Sequence, residues 1–166
     1  EEPSAIGLLD EYDNLAVLRT FSKAYGLAGL RIGYAAVPSE WADVYARVNT
    51  PFAANEVACR AALAAIDDDD HLERSIETAR WAREYYREEL DVPTWASGGN
   101  FVLCAVGDAT AVAEAAQRRG VIVRDTSSFG LPECIRVSCG TREETERAVE
   151  VINEVVADVL PEAAET

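Results

Sequence analysis

The residues best suited to chemistry lie in a short, glycine-punctuated segment near the start of the chain. Lys23 is the only lysine in the sequence, with Thr20 and Ser22 just before it and Arg31 eight residues after it. Desolvation and a nearby cation lower the pKa of an amine towards neutrality and make it a nucleophile. The planar fork of an arginine suits a phosphate group. The segment therefore predicts a reactive amine beside an anion-binding group.

Two apolar runs, at 15–18 and 32–37, flank this segment and predict neighbouring strands joined by a functional loop. Ser39 is expected to cap a helix that runs to about Val48, and Asn55 or the residues just before it are expected to begin another. Four aspartates at 67–70 then lead into a long amphipathic helix that ends near Leu90. The first part of the chain thus presents the lysine loop on a strand pair followed by helices.

The second part of the chain alternates short strands and helices. Strands are predicted at 100–106, 121–124 and 134–138, and a helix at 110–119. The last helix opens with the segment 141–144, in which Thr141 and Glu144 form a capping box. This order predicts a small mixed sheet with helices on one face.

The charge balance excludes several kinds of partner. The net charge of -15 repels nucleic acid and anionic membranes at long range. Fourteen of the fifteen basic residues are Arg, a composition that resembles proteins of salt-loving microbes, although a coding bias towards Arg is compatible with it. The sequence has no apolar run of about 18 residues and no signal-peptide pattern, so we expect a cytoplasmic protein that contacts no membrane.

Other reactive residue types have structural interpretations. The four cysteines form no C-x-x-C pair and the chain has one His, so no metal site is expected. Cys104 and Cys134 have alternating apolar neighbours and are interpreted as buried, reduced thiols on strands. The aspartates at 67–70 are interpreted as the start of a helix, and His71 as a solvated helix residue, in preference to metal ligands or a general base.

The segment 19–34 resembles a known signature. Its letters RTFSKAYGLAGLRIGY match the pattern S-K-x-x-x-L-x-G-x-R-x-G of fold-type I aminotransferases that use pyridoxal phosphate (PLP), and particularly the histidinol-phosphate aminotransferases. Four further segments are similar to that family in the same order: 51–52, 98–101, 120–125 and 135–140. The resemblance therefore covers most of the chain.

The resemblance implies a cofactor role for the lysine loop. Lys23 is expected to hold PLP as a Schiff base and to act as the general base once it is released. Ser22 and Arg31, together with Thr20, are expected to bind the cofactor phosphate.

The resemblance also implies substrate-binding residues in the second part. Arg136 lies between the apolar residues Ile135 and Val137, so on a strand it points to the opposite face. In the family pattern it receives the α-carboxylate of glutamate, with Arg124 as a second anion contact and Asn100 in the same pocket. The phosphate of histidinol phosphate is expected to bind to these arginines.

The fold class implied is α/β. Residues 1–85 are expected to form the last strands and lysine loop of a PLP-transferase large domain with connecting helices, and 86–166 the small C-terminal α+β domain. The family's pyridine-binding aspartate and its glycine-rich phosphate loop lie before the lysine motif and are not found in this sequence. The chain is thus expected to be a family member truncated at its N-terminal side. The complete protein is expected to be a homodimer that binds a small amino donor and a keto acid.

The reaction implied converts histidinol phosphate and 2-oxoglutarate to imidazole-acetol phosphate and glutamate. Three alternatives remain open from the sequence: another class I/II aminotransferase, a lyase similar to threonine-phosphate decarboxylase, and a truncated domain without catalytic activity. The enzyme alternatives differ in the substrate-facing region that precedes the lysine motif. The genomic sequence immediately upstream would distinguish them from a truncated domain without activity.

Salt should stabilise the fold, because screening reduces the self-repulsion of a chain with a net charge of -15. The screening length falls from roughly 10 Å at 0.1 M salt to roughly 3 Å at 1 M. We expect the melting temperature to rise as potassium chloride is raised from dilute to molar. A melting temperature that falls over this range would contradict the interpretation as a salt-adapted protein.

Overall fold

The computed structural model describes residues 4–159. The chain divides into two compact units, and the division falls between Glu73 and Arg74 inside the longest helix. The domain boundary expected from the sequence, between 85 and 86, lies later in the same helix.

The first unit contains one antiparallel strand pair followed by helices. Val17 pairs with Ala36 at one end of the pair and Thr20 with Gly33 at the other. The elements are β1 (Val17–Thr20), β2 (Gly33–Ala36), α1 (Trp41–Val48), α2 (Glu56–Ile66) and the start of α3 (Asp69–Glu89). Strands joined by the lysine loop were predicted, and the structure shows them, although β1 begins two residues later than expected.

The capping predictions in this unit had mixed outcomes. Asn55 caps α2, since its side-chain oxygen accepts a hydrogen bond from the Ala58 amide at 2.8 Å. The prediction that Ser39 caps α1 is wrong: Glu40 occupies the cap position without a side-chain bond, and the Ser39 hydroxyl lies 3.3 Å from the Glu40 carboxylate. Within the aspartate run, Asp68 accepts a hydrogen bond from the His71 amide at 3.0 Å, which is a helix-start role.

The second unit is a four-stranded sheet with helices on one face. Its elements after α3 are β3 (Thr94–Trp95), β4 (Phe101–Ala105), α4 (Ala109–Arg118), β5 (Arg124–Asp125), β6 (Cys134–Ser138) and α5 (Arg142–Val159). The strand order is β3-β4-β6-β5.

Three strand predictions need correction. All neighbouring strands are antiparallel, so the predicted mixed sheet is wrong. The strand expected at 121–124 is reduced to β5, because the chain pairs with β6 only at Arg124 and Asp125. The two-residue strand β3 was missed, because Thr94 and Trp95 give too short a pattern to show alternation.

The core of the second unit joins the sheet to the helices. Val102, Cys104, Ile135 and Val137 lie on the buried face of β4 and β6. They pack in one cluster with buried residues of α3, α4 and α5, among them Tyr86, Val112, Ala116, Val151, Ile152 and Val155. This arrangement confirms that the helices cover one face of the sheet.

A tyrosine hydroxyl and two thiols also lie within the second unit's interior. The Tyr86 hydroxyl donates a hydrogen bond of 3.0 Å to the Ser138 carbonyl, and burial raises the pKa of Tyr86 to about 12. Cys104 and Cys134 are free and buried on β4 and β6, as expected, and burial raises the pKa of the Cys104 thiol to about 12. The Tyr86 hydroxyl and the Cys104 thiol are therefore neutral near pH 7.

The capping box at the start of α5 is confirmed. The Thr141 amide donates to the Glu144 carboxylate at 2.8 Å, and the Glu144 amide donates to the Thr141 hydroxyl at 3.3 Å. Hydrogen bonds from the Thr141 backbone and side chain to the Glu144 carboxyl lower the pKa of that carboxyl. The helix that carries much of the core thus has a defined first turn.

Among residues 4–159 no helix has both the length and the apolar character needed to cross a membrane.

Replacing Thr141 by Ala should destabilise the second unit by about 1 kcal/mol, because the Glu144 amide loses its acceptor. The free energy of unfolding is measured by urea denaturation at constant salt. Glu143→Ala is the matched control, since Glu143 lies in the same turn and makes no cap bond in the described chain. Equal stabilities of the two variants would show that the capping box contributes nothing.

Candidate functional site

The lysine loop is closed by the end of the β1–β2 ladder. Beyond the Thr20–Gly33 pair, the Phe21 amide donates a hydrogen bond of 3.2 Å to the Ile32 carbonyl. Ser22 and Arg31 are the next residues on either side of this bond, so they flank the mouth of the loop. The strand pairing therefore brings the hydroxyl and guanidinium residues predicted to bind phosphate to one place.

A close backbone approach makes glycine necessary at the end of this ladder. A Cβ atom added to Gly33 would lie 2.5 Å from the Arg19 carbonyl oxygen, well inside van der Waals contact. By contrast, a Cβ on Gly29, within the same loop, would meet no heavy atom within 4 Å. The absence of a side chain at Gly33 therefore allows the two strands to close the loop, whereas a side chain at Gly29 would meet no neighbouring atom.

Lys23 begins a tight turn inside the loop. The Gly26 amide donates to the Lys23 carbonyl at 2.8 Å, and Gly26 adopts a φ of +70°, which favours glycine. Phe21 anchors the turn: its side chain is 5% exposed and its ring centroid lies 5.0 Å from that of Tyr25. Lys23 itself is exposed. These contacts fix the backbone of the loop, and the side chain of Lys23 extends from it towards solvent.

The polar groups around the mouth are oriented by local bonds. The Ser22 amide donates to the Thr20 hydroxyl oxygen at 3.1 Å, which joins these two residues in a short turn. Arg31 has a φ of 53°, and its guanidinium donates to the Ala28 carbonyl at 2.8 Å. The two hydroxyls and the guanidinium are donors of the kind that a phosphate group needs.

The second set of predicted site residues lies on the open face of the four-stranded sheet. Arg136 pairs in register with Leu103 on β4 and with Arg124 on β5, so the three side chains share one face. Ile135 and Val137 are buried on the opposite face, as expected. The Arg136 guanidinium lies 5.2 Å from the centre of the Phe101 ring, a cation–π contact.

The pairing of Arg124 with Arg136 places two positive charges directly opposite each other. Like charges at this position destabilise a sheet unless an anion lies between or near them. In the part of the chain that the structure describes, neither guanidinium forms an ion pair. The neighbouring carboxylate of Asp125 is engaged by Ser127 and Thr110, and these hydrogen bonds lower its pKa. The two arginines are thus available to an external anion.

Asn100 is exposed next to this face. Its carbonyl accepts a hydrogen bond of 2.8 Å from the Cys139 amide, which ties the start of β4 to the end of β6. The lysine loop belongs to the first unit, whereas Arg124, Arg136 and Asn100 belong to the second. Within residues 4–159 no group of three or more His, Cys, Asp or Glu side chains is placed to hold a metal ion.

Sequence reasoning missed the role of Phe101 beneath Arg136. The contact joins residues that lie far apart in the sequence, so the segment 98–101 alone does not predict it. The available signal was the alternation of β4, which places Phe101 on the same face as Leu103 and opposite Val102 and Cys104.

Comparison with known proteins identifies the family. Residues 1–152 match the family of class I and II aminotransferases, and the chain belongs to it.

Several relatives are histidinol-phosphate aminotransferases of salt-loving archaea. The chain is 76% identical to a histidinol-phosphate aminotransferase of Haloquadratum walsbyi over 95% of its length, and 76% identical to that of Haloferax volcanii over 96%. A bacterial histidinol-phosphate aminotransferase, from Akkermansia muciniphila, is 41% identical over 93% of this chain. The chain spans 42–44% of the length of these three relatives.

Solved structures show the same fold. A histidinol-phosphate aminotransferase from Sinorhizobium meliloti in complex with pyridoxal-5'-phosphate superposes with a TM-score of 0.77 at 29% identity, covering 93% of this chain and 44% of that one. The enzyme from Clostridium acetobutylicum gives a TM-score of 0.85 at 21% identity, over 93% of this chain and 49% of that one.

Gly33→Ala should loosen the lysine loop, because the new methyl group would collide with the Arg19 carbonyl oxygen. We expect destabilisation of the strand pair by more than about 1 kcal/mol. Faster amide hydrogen exchange in 17–20 and 33–36, followed by mass spectrometry, measures it. Gly29→Ala should leave exchange unchanged, since its methyl group enters open space. Similar exchange in both variants would contradict the close approach.

Proposed function

We propose that this chain is the lysine-bearing portion of a PLP-dependent histidinol-phosphate aminotransferase. The observation that carries the proposal is the lysine loop: the only lysine of the sequence lies in a loop whose mouth is flanked by Ser22 and Arg31. The identity of 76% to two archaeal histidinol-phosphate aminotransferases supports this substrate over others in the family.

In this proposal the loop binds the cofactor at two points. The hydroxyls of Thr20 and Ser22 and the guanidinium of Arg31 would hold the phosphate group, and the amine of Lys23 would hold the cofactor at its reactive carbon. When bound, PLP supplies an electron sink that makes the Cα–H bond of an amino substrate acidic. The turn at Gly26 and the buried ring of Phe21 fix the backbone from which Lys23 extends.

Lys23 then moves a proton. Once free, the amine of Lys23 would take the proton from the substrate Cα and deliver it to the cofactor's aldehyde carbon. In the second half-reaction 2-oxoglutarate would take up the amino group and leave as glutamate, which would restore the starting state.

Arg136 and Arg124 orient the substrate through its anionic end. Glutamate offers a carboxylate and histidinol phosphate offers a phosphate, and the planar fork of a guanidinium binds either with two hydrogen bonds. Phe101 supports the Arg136 guanidinium from one side at 5.2 Å, which limits the directions it can take. The repulsion between the two arginines is relieved when the anion binds.

A lyase is the second candidate. The L-threonine-O-3-phosphate decarboxylase of Porphyromonas gingivalis superposes with a TM-score of 0.74 at 23% identity, which shows a common fold. An arginine pair that accepts a phosphate suits that substrate class as well. Carbon dioxide release from threonine phosphate, without transfer of its amino group, would favour this candidate.

The wider organisation follows from the same proposal. Residues 1–85 belong to a large PLP-binding domain with its connecting helices, and 86–166 form the small α+β domain. The complete protein acts as a cytoplasmic homodimer on a small amino donor and a keto acid.

Arg136→Ala should weaken substrate binding and leave folding nearly unchanged. The expected loss for glutamate or histidinol phosphate is about 1.5–3 kcal/mol, the range for a hydrogen bond to a charged group. Arg136→Lys should restore only part of it, because an ammonium lacks the planar fork. The measurement is a titration of the PLP-loaded, full-length protein, followed through the change in cofactor absorbance, with thermal melts alongside.

Arg118→Ala is the matched control, since Arg118 is an exposed helix residue with an ion pair to Glu114. Its substrate affinity should equal that of the wild type. If Arg136→Ala also binds both substrates as tightly as the wild type, Arg136 is not a substrate-binding residue.

A further inference from the structure

A small cavity in the second unit collects positive charge outside the site described above. Arg80, Arg83 and Arg87 on α3 line it together with Glu84 of the same helix and Ser97 of the loop between β3 and β4. The spacing of three and four residues places the three arginines on one side of the helix. Its volume is about 180 Å³, enough for a phosphate-sized group with its bound water.

The arginines of this cavity lack the carboxylate partners that others in the chain have. On the helices α2, α4 and α5, arginines pair with acids nearby, as Arg60 does with Glu56 at 2.7 Å and Arg119 with Asp158 at 2.6 Å. For residues 4–159, none of Arg80, Arg83 and Arg87 has a carboxylate within ion-pair distance. In a protein with a net charge of -15, three neighbouring arginines without a carboxylate partner form a local cluster of positive charge that a bound anion would neutralise.

Two groups in the cavity are already held in place. The Arg83 side chain is half-buried and donates a hydrogen bond of 2.7 Å to the Gly99 carbonyl, which leaves its other N–H groups free. The Ser97 hydroxyl accepts a bond of 3.1 Å from the Gly99 amide and retains its own proton to donate. Fixed donors lose little conformational entropy when a ligand binds.

We propose that this cavity is a binding site for a dianionic phosphate group, either free or as a phosphomonoester. Three guanidinium charges and the one carboxylate of Glu84 leave two positive charges, which match a phosphate dianion and exceed what a single chloride neutralises. Arg83 links this site to the substrate-binding face proposed above. It donates a hydrogen bond to the Gly99 carbonyl, and Gly99 directly precedes Asn100.

The experiment is calorimetric titration of the full-length, PLP-loaded protein with inorganic phosphate and, separately, with glycerol 3-phosphate. The comparison is between the wild type and the double variant Arg80→Gln/Arg87→Gln, which changes two exposed side chains. Arg74→Gln is the matched control, because Arg74 lies on α3 outside the cavity. Circular dichroism checks that all three fold alike.

The expected result is a saturable site in the wild type and in Arg74→Gln whose affinity falls about tenfold or more in the double variant. Binding at Arg124, Arg136 or the lysine loop is common to all three proteins and cannot produce this difference. Tighter binding of glycerol 3-phosphate identifies an organic ester as the ligand class, and tighter binding of inorganic phosphate identifies the free ion. Equal affinity and stoichiometry in all three proteins would overturn the proposal, even if PLP and substrate binding are as proposed.

Discussion

The alternation of side chains along β6 determines most of what the second unit can do. Ile135 and Val137 must enter the core against the helices, so Arg136 between them must face the other way. The register with β5 then places Arg124 beside it, although two like charges oppose each other there. Burial of the apolar partners stabilises the strand by more than this repulsion costs, since each fully buried aliphatic side chain contributes roughly 1.5–3 kcal/mol. The core thus imposes an arrangement of arginines that suits an anion.

The lysine loop of the first unit is shaped by local contacts. Among the described residues of this unit, the buried apolar side chains are Val17, Phe21, Ala58 and Ala62. Backbone hydrogen bonds and the close approach at Gly33 set the course of the chain on either side of Lys23. Local turns of this kind are specified by a few neighbouring residues, which is why the sequence predicts the loop.

Much of this organisation could be predicted from the sequence because its determinants are local. The loop between two strands, the cap at Asn55, the capping box at Thr141 and the outward side of Arg136 all follow from spacing over a few residues. The failures involve pairing between distant segments. The antiparallel order of the sheet, the short β3 and the contact of Phe101 with Arg136 depend on which strands meet, and a single sequence does not encode that in any local pattern. Ser39 failed as a cap because its hydroxyl approaches the next side chain instead of the helix amides.

The covalent attachment of PLP to Lys23 is the central claim, and chemical trapping tests it most directly. The full-length protein is incubated with PLP, reduced with borohydride and digested, and the modified peptide is located by mass spectrometry, with Lys23→Arg treated in parallel. The account predicts a reduced pyridoxyl group on Lys23 and none at that position in the variant. An unmodified Lys23, with the label on the N-terminal amine or on another residue, would contradict it.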